Sequence, residues 1–339
     1  GPAVSGAEAL VATAQWGRVA DPATIGAVSE AAAAWTALVG TEIAPLSDIP
    51  ADSAPGDRED RLAAAVELEA LIAPLEKESE AFVAQAEPLE AGVAAITTAT
   101  SALLASAQQL GTEVPALGLA STETATAYTN AVAALTGDGD PVTLLGAYQQ
   151  AWADSVASHE TALRAQGSVA EPTYIRGVLV VNKTYPLPSS YGTGLTAETS
   201  NAFASMQAAA KAQGLNIFIA SGFRSYSSQT AIYNRYVSNE GVDGADRHSA
   251  RPGHSEHQSG LTFDLNSITE SFGSTPAGIW VAEHAHEYGF IVRYPQGKEA
   301  VTGYVWEPWH LRYLGTEVAT DVHASGLTLE EYLGVSSAY

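Results

Sequence analysis

Thirteen positions in the first half of the chain constrain its folding more than anything else in it. Leu68, Ile72, Leu75, Ser79, Phe82, Ala86, Leu89, Val93, Ile96, Thr100, Leu103, Ala107 and Leu110 follow one another in steps of 4 and 3 without a slip, and only Ser79 and Thr100 are polar. A repeat averaging 3.5 residues over about six heptads keeps one apolar stripe on one side of a helix, the pattern of a coiled-coil seam. It predicts a helix from about 58 to 110. Pro74 and Pro88, 14 residues apart, fall off the seam at one heptad position. Each removes a backbone donor and is expected to bend or split the helix. Asp57 is the expected N-cap and Gly111 the expected stop.

Further helical stretches read as 22–40, 121–136 and 142–166, with a turn at GDGDP, 137–141. Two aspartates in that turn do not make a calcium loop, because the remaining loop ligands are missing. The first half is thus expected to be an all-α bundle, hairpin or coiled-coil-like domain over 3–167. A spacer or stalk is one reading of it; docking of a protein partner, or self-association, is the other. AQGSVAEP breaks the helical pattern and is the expected linker, over 166–173.

The second half, 172–339, changes character. Short apolar runs at 178–181, 216–223 and 261–267 read as strands, and 304–315 as a strand-like segment. Helices are expected at 197–213, from near Ser227, and at 279–290 with Gly289 as its end. That order predicts an α+β domain with a small sheet.

Charge narrows the choice of partner. The formal net charge is −23, with 5 Lys and Arg against 22 Asp and Glu in residues 1–170 and 10 against 16 in 171–339. So acidic a surface argues against nucleic acid and anionic lipid. There is no cysteine, which excludes disulfides and thiolate metal sites. No run of 18 apolar residues suggests a membrane span. The opening GPAVSG resembles the scar of a cleaved tag, and Gly1 and Pro2 are set aside. Seven of the eight histidines lie in the second half, where the chemistry is expected.

SEHQSGLTFDL, 255–265, places His257 and Asp264 on one loop-strand unit around Gly260. Imidazole nitrogen and carboxylate oxygen suit Zn2+, and a hydrolytic zinc site uses three such ligands and leaves a fourth position for water. EPWH, 307–310, offers His310 as the third ligand and Glu307 as the base that takes the proton of the bound water. One geometric difficulty stands in the way. Positions three apart in a regular strand face opposite sides, so the chain must bend between Glu307 and His310, and Pro308 makes a bend there plausible. His284 and His286 diverge on their helix and are expected on the surface or in packing, and Trp309 in a wall or the core. The Asn182-Lys183-Thr184 sequon is expected to carry no meaning.

These segments resemble the zinc D-alanyl-D-alanine carboxypeptidases of the VanY type. SEHQSGLTFDL is similar to that family's S-x-H-x-x-G-x-[AT]-x-D pattern, EPWHLRYLG to its E-x-W-H element, and SGFRSYSSQ to its S-G-[FY]-R-S-x-x-x-Q element. The resemblance covers about 172–315 and none of the first half. It implies zinc on His257, Asp264 and His310, and Glu307 as general base and later acid. It implies Arg224 against the substrate carboxylate or the oxyanion, with Ser255 and Gln229 lining the pocket. It also implies a hedgehog- and D,D-peptidase-like fold, a small antiparallel sheet with flanking helices. The implied substrate is a peptidoglycan stem peptide cut before a terminal D-alanine, in D,D- or L,D-fashion. That would put the protein outside a bacterial cell or in its envelope. His254, where tyrosine is common, is the local departure. An endopeptidase acting on cross-bridges, or a non-catalytic zinc-containing binding module, are the alternatives.

Overall fold

In the computed structural model, residues 2–39, 58–166 and 169–339 are described. The expected cap at Asp57 and part of the expected linker lie outside them. Within them the chain forms two compact units: residues 1–14, 21–107 and 135–146 make one, and 15–20, 108–134 and 147–339 the other. The division does not fall at 166–173. The helical segments 108–134 and 147–166 belong to the unit that carries the sheet.

The first unit contains α1 (Pro2–Thr13), α2 (Ala23–Val39) and most of α3 (Arg58–Glu113), which runs on into the other unit. α3 is one helix of 56 residues, and neither proline splits it. Both prolines are exposed, as are Ala70 and Ala84 four residues before them. The carbonyls that lose their amide partner are therefore at the wet surface, where water replaces the bond. Packing of α2 on α3 is close at Gly92, where an added Cβ would stand 2.7 Å from the Trp35 ring. Along the seam, Ile96, Leu103 and Ala107 are buried, whereas Ile72, Phe82 and Val93 are exposed. By length and composition alone, one stretch within Pro74–Glu113 is long and apolar enough to cross a membrane.

α3 also passes its expected stop and ends at Glu113. Gly111 is inside the helix because close packing demands it: a Cβ there would lie 2.6 Å from Val132 and 3.1 Å from Tyr148. These belong to α4 (Thr122–Ala134) and α5 (Pro141–Gln166). Tyr128 of α4 donates to the Val114 carbonyl at 2.9 Å and packs on Tyr148 and Trp152 of α5. α5 is tied to the rest of its unit by Glu160, whose carboxylate accepts from Tyr185 Oη, Ser336 N and Ser336 Oγ at 2.9, 2.8 and 2.6 Å.

The chain then forms a hairpin, β1 (Thr173–Ile175) and β2 (Val178–Val180), turned at Arg176 and Gly177, both at positive φ. Next come α6 (Ala197–Ala212), β3 (Ile219–Ser221), α7 (Tyr226–His248), β4 (Thr262–Leu265), α8 (Pro276–His284), β5 (Phe290–Tyr294), α9 (Glu299–Thr302), β6 (Glu307–Tyr313), α10 (Thr316–Ser325) and α11 (Leu329–Leu333). Side-chain caps from Thr196 and Ser225 start α6 and α7. The expected helix at 279–290 divides into α8 and a 3-10 turn, and Gly289 ends it at φ 83°. α1, β1, β5, α9, α10 and α11 were not foreseen.

Strands β3–β4–β6–β5 form one antiparallel sheet in that order. Strand alternation divides its residues between two faces. Phe263 and Leu265 of β4, Phe290 of β5, and Trp309 and Leu311 of β6 pack with Phe203, Met206, Trp280 and Val281 of α6 and α8 in one apolar core. The alternate positions, Thr262, Asp264, Arg293, His310 and Arg312, are buried too. That second face is polar, and it holds the site. The α+β class with helices against a small antiparallel sheet is as expected.

Candidate active site

Pairing of β4 with β6 sets Asp264 opposite His310, Phe263 opposite Leu311 and Thr262 opposite Arg312. Two of the expected ligands are therefore cross-strand neighbours on the polar face. His257 arrives from the 3-10 turn Glu256–Ser259, just before β4. Gly260 closes that turn at φ 74°, and a Cβ there would meet the Gly194 carbonyl at 2.2 Å. Only glycine fits both the backbone angle and the space.

The difficulty with Glu307 and His310 is resolved by a bulge. Val292 pairs with Leu311 and Tyr294 with Glu307, so four residues of β6 span the distance of two on β5. Extra residues re-aim side chains, and Glu307 Oε2 comes to 3.4 Å from His310 Nδ1. Pro308, which lacks an amide to pair, lies inside this bulge.

His257 Nε2 stands 3.3 Å from Asp264 Oδ2, and His310 Nδ1 stands 3.2 Å from Asp264 Oδ1. The three ligand atoms lie within 4.8 Å of one another. Ligands 2.0–2.1 Å from a tetrahedral zinc are about 3.3–3.4 Å apart, which is the spacing of these contacts. Asp264 Oδ1 is buried with no hydrogen bond of its own. Close approach without hydrogen-bond alignment means that the atoms are aimed at a common point rather than at each other. The donor set, two imidazoles and one carboxylate, fits zinc. His257 presents Nε2 because its Nδ1 is 2.7 Å from the Gly222 carbonyl, to which it can donate only in that tautomer.

The site's charges are set by burial and neighbours. Burial alone would raise Asp264, but the adjacent His257 and His310 imidazoles hold it well below the usual carboxylate range. Burial lowers His257 and so favours the neutral, ligating ring. Glu307 is pushed up to about 7 by burial, with His310 and Arg224 pulling the other way and Asp264 adding to the rise. A carboxyl group tuned to neutral pH can both take and return a proton.

Arg224 begins just after β3, and burial lowers its pKa. Its guanidinium donates to Gln229 Oε1 at 3.0 Å and Ser221 Oγ at 3.3 Å. It lines a cleft of about 590 Å³ together with Tyr236, Ser255, Tyr294, Tyr304, Glu307 and the three ligand residues. A second cavity of about 690 Å³, beside Tyr174, Arg176 and Asp321, gathers none of these residues.

Ser255 is buried in the cleft wall. Gln229 is not in the wall: it is fully buried, donating to Ser249 Oγ and the Ala250 carbonyl at 3.0 and 2.6 Å. Its place is behind Arg224, whose fork it holds. A glutamine on the first turn of a helix gives no sign of which way it points, and the cap at Ser225 decides that. His284 pairs with Glu287, and His286 stacks on His323 at 3.8 Å, both outside the site. Asn182 of the sequon is buried, donating to Glu330 and to the Ser336 carbonyl. Trp309 serves both the core and the cleft.

Two residues of the site escaped the sequence reading. Tyr294 packs its ring 4.8 Å from that of His310. Glu256, beside His257 in the motif, is 1% exposed and receives Arg293 Nε and Arg312 Nη1 on its Oε1, each at 2.8 Å. Burial would raise its pKa, but the two arginines hold it far below the usual range. The only sequence signal was a glutamate directly beside a candidate metal ligand, His257.

Comparison with known proteins gives a consistent result. The family model for VanY, described as D-alanyl-D-alanine carboxypeptidase, matches residues 192–316. The Bacillus subtilis protein YodJ is 40% identical over 178 residues, which are 45% of this chain and 65% of that protein. The chain thus spans somewhat less than two thirds of that relative's length. VanXYC of Enterococcus gallinarum, a bifunctional D-Ala-D-Ala dipeptidase and D-Ala-D-Ala carboxypeptidase, is 33% identical over 132 residues, 36% of this chain and 70% of that one. The solved structure of an L,D-carboxypeptidase DacB from Streptococcus pneumoniae shares 43% identity, covers 50% of this chain and 95% of that chain, and has a TM-score of 0.45. With its second half matched in this way, the chain belongs to the VanY family of D-alanyl-D-alanine carboxypeptidases.

Proposed function

We propose that the protein is a zinc carboxypeptidase that removes a terminal D-alanine from peptidoglycan stem peptides. The observation that carries this reading is the convergence of His257, Asp264 and His310 with Glu307 3.4 Å from the nearest ligand atom. Zinc, when bound, would supply Lewis-acid polarisation and a readily deprotonated water. Glu307 takes a proton from the attacking water as its oxygen bonds the scissile carbonyl carbon. When the C–N bond breaks, the same carboxyl group returns the proton to the leaving amine. Arg224, fixed by Gln229 and Ser221, presents guanidinium N–H groups to the terminal carboxylate of the substrate, a charge-assisted contact that an internal peptide bond cannot make. This favours an exopeptidase. Ser255 completes the wall beside the ligands.

Such a substrate lies outside the cytoplasmic membrane, and we place the protein in the cell envelope or beyond it. The helical residues of 3–167 would serve as a stalk or docking surface, in addition to the part that packs in the peptidase unit.

The test is release of D-alanine from stem pentapeptide and stem tetrapeptide, followed by mass spectrometry with zinc content measured on the same sample. Loss of one alanine from the pentapeptide reports D,D-cleavage, and from the tetrapeptide L,D-cleavage. A zinc-loaded protein with Glu307 intact that shortens neither peptide refutes the proposal.

A further inference from the structure

The side of His310 that faces away from the other ligands is buried and charged. Its Nε2 is buried without a hydrogen bond, and the carboxylate oxygen Oε2 of Glu256 stands 3.5 Å from it. Glu256 divides its two oxygens. Oε1 accepts both guanidinium groups, from Arg293 and Arg312. Oε2 is left facing His310 and the Thr262 hydroxyl, the latter at 3.4 Å. Arg293 continues the chain of charges: its Nη1 donates to Glu330 Oε2 at 2.8 Å, and Asn182 donates to Glu330 Oε1 at 3.1 Å. Side chains of Glu256, Arg293, Arg312 and Glu330 are each 1% exposed.

Two carboxylates and two guanidinium groups buried together cancel in charge, but such a cluster gains little over an apolar core of equal volume. What it does supply is a carboxylate fixed in place. A ligating histidine is oriented, and made more basic, when its other nitrogen donates to a carboxylate. His257 has only a neutral carbonyl behind it, that of Gly222.

We propose that Glu256 is the positioning residue of His310: its Oε2 accepts the Nε2 proton, fixes the ring in the tautomer that offers Nδ1, and raises the affinity of the site for zinc. Arg293 and Glu330 hold Glu256 in register, which extends the support of the site to α11, beyond the matched span 192–316. The inference rests on the zinc reading above.

Zinc affinity is measured by chelator competition on the full chain, with cobalt substituted for zinc as a spectroscopic reporter. For Glu256→Gln we expect one equivalent of metal, a dissociation constant raised about 10–100-fold, and a shifted cobalt d–d spectrum. Glu330→Gln should show a smaller change in the same direction, and the exposed Glu283→Gln none. Should Glu256→Gln fail to fold, Glu256→Asp, which keeps the charge against both arginines while withdrawing it from the ring, is read in the same way. Wild-type protein itself gives an independent readout: a slowly exchanging His310 Nε2 proton in the NMR spectrum of the zinc form. Unchanged affinity and cobalt spectrum in a folded Glu256 variant, or a rapidly exchanging ring proton, overturn the proposal. A wild type that binds no zinc sinks the zinc reading instead and is told apart by that result alone.

Discussion

Two stretches of this chain show how differently a sequence pattern and its burial can be related. In α3 the apolar repeat continues without a break, yet Ile72, Phe82 and Val93 are 49%, 56% and 41% exposed while Leu103 and Ala107 of the same seam are 0%. On the polar face of the sheet the reverse holds: Arg293, Arg312 and Glu256 are charged and yet among the most buried side chains. Apolar periodicity dictates which face of a helix is greasy. It does not dictate that anything covers it. A charged residue at an alternate strand position can be buried if its counter-charges arrive from distant parts of the chain.

The largest effect that would bear on this contrast lies in the site. Glu307→Ala should lower kcat by about 10²–10⁴-fold while leaving zinc content unchanged, because the proton carrier is lost and the ligands are not. Steady-state kinetics with metal analysis decide it, and loss of zinc along with activity would make Glu307 a ligand instead.

Smaller, but sharper for the contrast itself, is a pair of substitutions at two apolar positions of the one seam. Leu103→Ala should cost about 2–5 kcal/mol, as for a fully buried leucine. Phe82→Ala should stay within about 0.5 kcal/mol. Denaturant unfolding measures both. A large, concentration-dependent loss for Phe82→Ala would show that a second copy covers the exposed half.

Glu160→Ala tests whether α5 is part of the peptidase unit. The substitution removes the acceptor for Tyr185 and for two groups of Ser336, and a loss of about 1–3 kcal/mol is expected from leaving buried donors unmet. An unchanged melting temperature would return α5 to the status of a spacer. For the same reason, a fragment beginning near 171 should be less stable than the full chain, because it lacks Trp152, Glu160 and Arg18, whose guanidinium bonds the Leu333 carbonyl.

The smallest expected effect is on pH. As the proposed base, Glu307 acts only when ionised, and burial pushes it up to about 7. Activity should therefore fall as pH drops through the pKa of this group, full above it and lost below. Bound zinc adds positive charge and moves that acid limb below 7. A pH profile of kcat/KM locates it, and Glu307→Asp should shift the limb without abolishing the rate.

Much of the molecule was legible beforehand. His257, Asp264, His310, Glu307 and Arg224, which meet in one cleft, were singled out from residue chemistry, spacing and family resemblance; the long helix α3 followed from periodicity; and β4 and β6 from short apolar runs. β5 was hidden because Phe290–Tyr294 follows a helical pattern directly and carries a charged residue, Arg293, whose burial depends on counter-charges from distant segments. The role of Gln229 was misread because spacing along a helix says which face a residue occupies, not whether that face meets solvent.

By itself, the sequence determined local matters: where the longer helices run, which residues can hold a divalent ion, and that Gly260 must turn the chain. Only the tertiary structure decided the rest. The four-for-two bulge that turns Glu307 toward His310, the two arginines that keep Glu256 ionised, and the helices that join the peptidase unit all depend on contacts between segments tens to hundreds of residues apart. Such contacts are made by packing and charge balance in three dimensions, and no window along the chain contains both partners.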